Sequence, residues 1–456
     1  MHQLIAAILA ATTSLPPAAI HPCIDGPKRN GRALSVDYTI HISRLLGKLH
    51  SNYEDDHEKP QGHPDHSRVI ARVTELISAH DTHNVICQVI PSQHQILITI
   101  LPAAFMTHAI RPLATALPIP QPDGFPTTDI EVLLPSARDS LNGYHIRSLN
   151  YARFLYECRR AQGCSDVRIL VVAFDACTDT APAWHITLVA DWHADPSIPV
   201  VHESCTLPAV RAFIAHRSTT DPTMLGIGTS ASPLAILATV RHRRPRAATQ
   251  IVPHQLQRLS DAANRIVPCS PATVLVGKCS ISSPSALAAS TPRIRAIIDV
   301  RSPPDPDALA TLLARSRLVV SDLSVKPCRD STADPADAGL YVQYIHARIC
   351  GIERSAAPCL NASADLSGLS RNNMALDLAV AIESFYQTFL RTVQEHEPSV
   401  LVSALIKLAH STNRALSHLR VKGRRDNEDR WLLLYIARAC IQNGLGLLGL
   451  KAAHFM

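Results

Sequence analysis

Residues 337–350 read DAGLYVQYIHARIC, a stretch in which large apolar side chains recur at the period of a helix. The recurrent positions, three and four residues apart, are Tyr341, Tyr344, Ile345, Ile349 and Ile352. Positions three and four apart share one face of an α-helix, so this spacing predicts an amphipathic helix with one buried side.

The same helical pattern continues to the end of the sequence in three further segments. These segments are Leu376–Phe389, Val400–Leu419 and Arg430–Gly444. We expect the last helix to stop at Asn443-Gly444, because glycine and asparagine favour the conformation that ends a helix. Four amphipathic helices in succession predict an all-α bundle over residues 331–456.

The sequence before residue 331 has a different texture, with short strand-like runs between segments of helical period. The strand-like runs are Val85–Ile90, Gln95–Leu101, Arg168–Phe174, Trp184–Ala190 and Thr273–Val276. A helix is expected over Ser148–Ala161. Alternation of this kind predicts an α/β layer. We place one domain at residues 1–125 and a second at 126–330.

Length and composition limit the class of protein. A chain of 456 residues is long enough for two or three domains. The formal net charge of +6 permits a polyanionic partner without requiring one. No stretch approaches the ~20 apolar residues that a membrane span needs. The run Leu4–Ala11 lacks a basic flank, so it is weak evidence for a targeting segment, and a cytoplasmic location is expected.

Several enzyme and metal signatures can be tested and fail. The closest of the 12 cysteines, Cys158 and Cys164, are six residues apart, so no paired zinc or disulfide spacing exists. Gly226-Ile227-Gly228 lacks the third glycine of a dinucleotide site and favours a turn. Ala272 replaces the first glycine of a phosphate-binding loop that would end at Ser280. A polar loop around His57, which also holds other histidines and acids, is typical of solvated surface, so we expect no metal.

Cationic residues cluster at the end of the third predicted helix of the bundle. The candidates for phosphate contact are Arg414, Arg420, Lys422, Arg424 and Arg425. The alternative is a solvated helix end, complemented by the acids Asp426, Glu428 and Asp429. Charge alone does not separate the two interpretations. The four arginines within residues 241–246 form a weaker local cluster.

Aromatic and cationic residues also interleave along the first helix of the bundle. Tyr341, Tyr344, His346 and Arg348 could stack on unpaired bases and contact backbone oxygens. In the alternative, the tyrosines are core residues and Arg348 braces the seam between domains. Periodicity leaves both open.

Two tracts resemble a known family. Residues 337–350 are similar to the tract that joins the catalytic core of arginyl-tRNA synthetases to their anticodon-binding bundle. Residues 441–456, which read IQNGLGLLGLKAAHFM, are similar to the close of that bundle, the DALR domain. The resemblance implies a tRNA partner, with arginine isoacceptors as the natural choice. It also implies contacts from Tyr341, Tyr344 and Arg348, and from the tract between Asn443 and Met456.

The resemblance weakens upstream, where a class I synthetase carries an H-x-G-H signature for ATP. Only His63-Pro64-Asp65-His66 comes near it, and Asp65 places a carboxylate where the glycine belongs. A negative side chain there would oppose binding of a triphosphate. No KMSKS-like loop is present. The resemblance therefore implies a degenerate α/β class I synthetase-like (Rossmann-type) body, followed by an all-α DALR anticodon-binding helical bundle, with no catalytic residues and no cofactor.

A retained bundle on an eroded core resembles the non-catalytic DALR-domain proteins. That resemblance implies a binder of arginine tRNAs that recruits a methyltransferase-like enzyme forming 3-methylcytidine in the anticodon loop. Two alternatives stay open. One is an arginine–tRNA ligase with degraded motifs, which would use ATP, and the other is a scaffold whose bundle binds protein.

Overall fold

The computed structural model of the protein describes residues 5–6, 9–10, 20, 23–29, 36–45, 66–79, 81, 85–92, 94–116, 128–135, 143–163, 167–174, 183–185, 200–201, 204–206, 225–229, 274–276, 292–301, 303–325, 337–356, 360–421 and 427–456. The chain forms two compact units. Unit 1 comprises Met1–Pro118, Ile352–Gln387 and Lys407–Cys440. Unit 2 comprises Ile119–Gly351, Thr388–Ile406 and Ile441–Met456.

The amino-terminal part of unit 1 is built on a four-stranded antiparallel sheet with the order β1-β2-β4-β3. Its strands are β1 (Ile24–Arg29), β2 (Val36–His41), β3 (Ile86–Pro91) and β4 (Gln95–Ile100), and helix α1 (His66–Ala79) precedes β3. Along β2, Val36, Tyr38 and Ile40 are buried while the residues between them are half-buried. This alternation is what a strand with one face on a core requires. The predicted strands Val85–Ile90 and Gln95–Leu101 are confirmed, with β3 displaced by one residue.

Short helical segments of unit 1 follow this sheet. They are α2 (Pro102–Phe105), a π-helical turn (Met106–Ile110) and α3 (Leu113–Ala116). Phe105, Met106 and Ile110 are buried. The first two segments lie against a 3-10 turn (Ser367–Arg371) from the carboxyl-terminal part of the same unit.

Unit 2 contains a seven-stranded sheet whose central strands are parallel. The elements are β5 (Thr128–Pro135), α4 (Gly143–Ala161), β6 (Val167–Phe174), β7 (Ala183–His185), β8 (Val200–Val201), β9 (Ser204–Thr206), β10 (Leu225–Thr229) and β11 (Val274–Val276). The strand order is β11-β10-β5-β6-β7-β9, and β8 also pairs with β6. The predicted strands Arg168–Phe174 and Thr273–Val276 are confirmed. Of Trp184–Ala190, the structure describes only the part within β7.

The order of the parallel strands defines a crevice. β5, α4 and β6 form a β-α-β unit, and β10 lies on the other side of β5, so the strand order reverses beside β5. In an open α/β sheet, ligands bind outside the carboxyl ends of the strands at such a reversal. In this chain the position lies beyond Pro135 of β5 and Thr229 of β10.

Two helices of unit 2 lead to the carboxyl-terminal region. They are α5 (Pro292–Arg301) and α6 (Pro306–Leu323), and Asp305 caps α6 by accepting a 2.9 Å hydrogen bond from the Ala308 amide. Asp337 then accepts contacts from the guanidinium groups of Arg293 in α5 and Arg317 in α6. These ion pairs fix the point at which the carboxyl-terminal helices begin.

The carboxyl-terminal region is helical throughout, as predicted. Its helices are α7 (Ala338–Ala356), α8 (Asn373–Glu395), α9 (Pro398–His418) and α10 (Glu428–Leu447). Each of the four contributes residues to both units. The predicted architecture, an α/β body followed by an all-α carboxyl-terminal region, is confirmed.

The end of α10 differs from the prediction. The helix continues through Asn443-Gly444 to Leu447, and the chain turns at Gly449, whose φ is +71°. The Leu450 amide donates to the Leu445 oxygen at 2.9 Å, and the Gly449 amide donates to the Gly446 oxygen at 2.8 Å. This pair of bonds is a Schellman motif, which needs a left-handed residue that glycine adopts without strain. Gly444 is buried within the helix, so packing outweighs its weak helical propensity.

Candidate functional site

The predicted aromatic stripe lies on the outer side of α7. Tyr344 is 38% exposed, and Tyr341 and Arg348 are half-buried. The buried apolar positions of the helix are instead Leu340, Val342, Ile345, Ala347 and Ile349. The interpretation of Tyr344 as a core residue is therefore wrong, since its ring reaches the surface.

His346 has a different environment from the one its predicted role requires. Its ring is 0% exposed, and Nδ1 lies 2.8 Å from the main-chain oxygen of Ala453. A carbonyl oxygen only accepts, so Nδ1 carries the proton in this contact. The ring also meets His454 edge-on, with 5.7 Å between centroids. Direct RNA contact by His346 is therefore corrected, because the ring has no surface to offer.

Gln343 forms a hydrogen-bonding clamp that the sequence pattern did not predict. Its side chain is 0% exposed, and its amide nitrogen donates to Ser316 Oγ in α6 and to the Lys451 oxygen, both at 2.8 Å. Its amide oxygen accepts from the Ala453 amide at 2.7 Å. A residue of a parallel strand binds its neighbour in the same way, through the oxygen before and the amide after the residue opposite. The Gln343 side chain thus stands in for a β-strand beside Ala452.

The clamp residues share a face that their spacing could have shown. Gln343, His346 and Cys350 follow at steps of three and four residues, on the inward side of α7. A polar residue repeated at that period within an apolar face needs buried partners. Cys350 Sγ lies 3.7 Å from His346 Nδ1 and 3.8 Å from His454 Nδ1.

The clamped part of the chain is the tail segment (Lys451–Met456). It starts directly after the turn at Gly449 and Leu450, where a Cβ added to Gly449 would lie 2.3 Å from Cγ of Arg153 in α4. Ala453 points inward and is buried, whereas Lys451, His454 and Phe455 are exposed. Of the two predicted contact residues here, Asn443 and Met456, both are half-buried.

Cationic residues line the exposed side of the last three turns of α9, which belong to unit 1. Lys407, His410, Arg414 and His418 follow at three- and four-residue steps, and Arg420 comes directly after the helix. All five are exposed. Among the residues that the structure describes, Lys407, Arg414 and Arg420 have no carboxylate within ion-pairing distance. The predicted Lys422, Arg424 and Arg425 lie outside the described residues.

The acids that could have neutralised this cluster have other partners. Glu428 Oε2 accepts from the Asn361 amide at 2.7 Å, and Asp429 Oδ1 accepts from the Arg430 main-chain amide at 2.7 Å. The chain beyond α9 is held from α10. Arg430 donates to the Arg420 oxygen at 3.2 Å, and the Asn427 amide donates to the Val421 oxygen at 2.7 Å. Within the described residues, the solvated-end interpretation therefore lacks its ion pairs with Glu428 and Asp429.

The topology moves the expected place of the ATP signature. His63 and Asp65 lie outside the described residues, and His66 begins α1, next to the antiparallel sheet. The phosphate-binding turn of a doubly wound sheet follows its first parallel strand, which here is β5. The assignment to residues 63–66 is therefore corrected. The strand-like run before Pro135 and the helix starting near Gly143 were the signal that would have located the turn.

The sequence at this turn lacks the signature. Between Pro135 and Asn150 the chain has one histidine, His145, and one glycine, Gly143, so an H-x-G-H cannot be formed in any register. The segment thus lacks one of the two histidines with which such a site would meet the phosphates of ATP.

Other sequence motifs have plain structural roles or lie elsewhere. Gly226-Ile227-Gly228 is the middle of β10, paired with β5 and β11, and is not a turn as predicted. The arginines of residues 241–246 and Lys278 lie outside the described residues. In the part of the chain that the structure describes, no three His, Cys, Asp or Glu side chains are placed to hold a metal ion. No helix there is long and apolar enough to cross a membrane.

Comparison with known proteins agrees with this architecture. Residues 342–456 match the DALR anticodon binding domain. The chain is 34% identical over 155 residues to a probable cytoplasmic arginine–tRNA ligase of Dictyostelium discoideum, which is 32% of this chain and 26% of that protein. It is 29% identical over 164 residues to the cytoplasmic arginine–tRNA ligase of Saccharomyces cerevisiae, covering 33% and 27% of the two chains. The matched part thus spans about a quarter of the length of these relatives.

The fold is similar along the whole chain. The arginyl-tRNA synthetase of Thermus thermophilus superposes with a TM-score of 0.61 and 14% sequence identity, over 99% of both chains. Residues 342–456 therefore match a DALR anticodon binding domain, on a chain whose fold is that of the arginyl-tRNA synthetases.

Proposed function

We propose that the protein is a non-catalytic tRNA-binding protein that recognises arginine tRNAs through residues 342–456. The observation that carries the proposal is the combination of a matching DALR domain with a first β-α turn that has one histidine. The relatives that match this part of the chain are arginine–tRNA ligases.

The surface of the carboxyl-terminal helices has the chemistry for RNA. Exposed aromatic rings such as Tyr344 can stack on unpaired bases, and a neighbouring guanidinium such as Arg348 can contact backbone oxygens. The exposed cations of α9 add a row of charges for phosphates. Affinity is then expected to fall steeply as salt rises, because binding releases counterions.

The absence of catalysis is proposed from the turn after β5. Adenylate formation needs groups that approach and stabilise the phosphates of ATP. With one histidine in residues 136–149, the two-histidine arrangement of the class I signature is lost. The segment also carries Tyr144 beside His145, and a bulky ring hinders the close backbone approach that glycine permits.

An adaptor function gives a non-catalytic tRNA binder a purpose. We propose that the bound arginine tRNA is presented to a methyltransferase-like enzyme that forms 3-methylcytidine in the anticodon loop. This part rests on the resemblance to non-catalytic DALR-domain proteins.

Two measurements test the proposal. Sequencing of RNA that copurifies with the full chain should show enrichment of arginine tRNAs, and these tRNAs should lose 3-methylcytidine when the protein is removed from cells. Arginine-dependent ATP–pyrophosphate exchange should be absent. Exchange activity would instead identify an arginine–tRNA ligase, the alternative that the whole-chain fold similarity favours. Failure to retain any tRNA at low salt would contradict RNA binding and leave the scaffold interpretation.

A further inference from the structure

We infer that the tail segment is a preorganised part of the RNA-binding surface, with Phe455 as a base-stacking residue and Gln343 as the positioning residue that holds it. The inference rests on the proposed function and adds two residues to it. It follows from three observations on the segment: how its main chain is held, what it exposes and what surrounds its start.

The main chain of the tail segment is held by buried side chains of α7. The Lys451 oxygen, the Ala453 amide and the Ala453 oxygen are each bonded to Gln343 or His346, at 2.7 to 2.8 Å. Gln343 is also anchored on Ser316 of α6 at 2.8 Å. Each bond is enclosed, where losing one partner costs more than the bond contributes. The path of the segment is therefore fixed before any ligand binds.

The side chains that this path exposes suit nucleic acid. Phe455 is 50% exposed, and the exposed Lys451 provides a positive charge on the same segment. A large aromatic ring held at the surface of a fixed segment binds a base with little loss of conformational freedom. An aromatic face with a nearby cation is the usual arrangement for stacking on single-stranded nucleic acid.

The start of the segment is fixed as well. Gly449 turns the chain with φ +71°, and its Cα packs closely on Arg153. Leu450 is buried. Anchors thus lie on both sides of Lys451, at the turn and at Ala453, and only the last residues of the segment project.

The clamp faces away from the tyrosine stripe. Gln343, His346 and Cys350 lie on the side of α7 opposite Tyr341 and Arg348, as helical periodicity requires. Phe455 is therefore a second contact point for the RNA and does not extend the same aromatic stripe.

The test is a double-mutant cycle on the full chain, measured as binding of an arginine tRNA transcript. Phe455→Ala should weaken binding by about fivefold or more, the range for removal of one stacked base, while Phe455→Tyr should stay within about twofold. Gln343→Leu, which keeps the volume and removes the hydrogen bonds, should weaken binding to a similar degree. Adding Phe455→Ala to Gln343→Leu should then have little further effect, because the ring is already displaced.

A second readout does not depend on RNA. Hydrogen exchange at the Ala453 amide should quicken in Gln343→Leu and remain unchanged in Phe455→Ala. Ala453→Pro removes the same amide donor without touching a helix, and it should reproduce the binding loss if Gln343→Leu unfolds. Thermal unfolding monitored by circular dichroism reports whether each variant is folded.

The outcomes separate the two proposals. Wild-type binding that Phe455→Ala leaves unchanged would overturn the inference and leave the proposed function intact. Losses that multiply in the double variant would overturn the positioning role of Gln343. No binding of any tRNA by the wild type would overturn the proposed function and this inference together.

Discussion

The hydroxyl of Tyr151 in α4 donates a hydrogen bond to the main-chain oxygen of His396, 3.1 Å away in a buried setting. His396 forms the turn between α8 and α9 and has a φ of 56°, a conformation that few non-glycine residues adopt. The Gln162 amide donates to the Val393 oxygen at 2.8 Å, one turn earlier. Helix α4 of the α/β body thus holds this turn through two main-chain oxygens.

Replacement of Tyr151 by Phe should lower the free energy of unfolding by about 1–2 kcal/mol, because the buried His396 oxygen loses its donor. Burial raises the pKa of the Tyr151 hydroxyl well above its ordinary value, so the group remains a donor throughout the neutral range. Urea denaturation of the full chain measures the change. Tyr156→Phe is the matched control, since its hydroxyl has a longer, 3.5 Å contact with Arg160. Equal losses in both variants would contradict a specific role for Tyr151.

Replacement of Gly339 by Ala should separate α6 from α7. An added Cβ would lie 2.2 Å from the Ser316 oxygen, a main-chain atom that cannot move alone. We expect a loss of about 1–3 kcal/mol, the usual cost of overpacking. Gly446→Ala is the control, because nothing lies within 4 Å of its Cβ and alanine favours a helix. A melting temperature that falls in Gly446→Ala but not in Gly339→Ala would refute the close approach.

The cysteines should differ in reactivity. Cys87 is exposed, whereas Cys158 and Cys440 are buried and free. Burial raises the pKa of both buried thiols, which leaves less of the reactive thiolate at neutral pH. Iodoacetamide labelling followed by peptide mass spectrometry should modify Cys87 well before the other two. Denaturant should abolish the difference, and early labelling of Cys440 in the native protein would contradict its burial.

The exposed cations of α9 should account for part of the salt dependence of tRNA binding. Lys407→Ala combined with Arg414→Ala should weaken binding to all tRNAs. The slope of log K against log salt should become shallower by about 0.7–0.9 for each phosphate that the variant no longer neutralises. Arg391→Ala is the control, since Arg391 is already paired with Glu395 at 3.7 Å. An unchanged slope in the double variant would mean that this side of α9 does not meet phosphate.

Asp25 should make the stability of the antiparallel sheet depend on pH. Burial alone would raise the pKa of this carboxyl, but the hydrogen bond with His41 and the charges of His41, Arg44 and Lys28 together lower it. A lowered pKa in the folded protein contributes stability above the pKa of the unfolded chain, and that stability is lost as pH falls through the folded value. Asp25→Asn should therefore reduce the melting temperature near neutral pH and have little effect in strong acid.

A matched variant controls for the removal of a surface charge in that experiment. Glu75→Gln removes a carboxylate from an exposed pair with Arg72 on α1. Pairs of this kind contribute little. Melting temperatures that shift equally in Asp25→Asn and Glu75→Gln at every pH would count against the contacts of Asp25.

The helices could be predicted because their apolar period is strong. The end of α10 could not, since Gly444 and Gly449 are both plausible stops by propensity. The choice depends on which glycine must take a positive φ, and that is set by the Schellman bonds to Leu445 and Gly446 and by Arg153. Gly226-Ile227-Gly228 shows the reverse case, because pairing on both sides holds two glycines in a strand.

The candidate site was only partly accessible to sequence reasoning. The exposed aromatic ring of Tyr344 followed from the interleaved pattern, but the clamp did not, because Gln343 meets partners more than a hundred residues away. Dense histidines pointed to residues 63–66 for the ATP signature, whereas the topology places it after the first parallel strand. Single-sequence patterns specify such topology weakly.

The grip of Gln343 on main-chain atoms leaves the identity of residues 451 and 452 almost unconstrained. Only position 453, whose side chain points inward, must remain small. The segment is thus an exchangeable cassette: foreign sequences could be grafted there and adopt the same trajectory, so that the residue displayed at 455 becomes a choice of the experimenter.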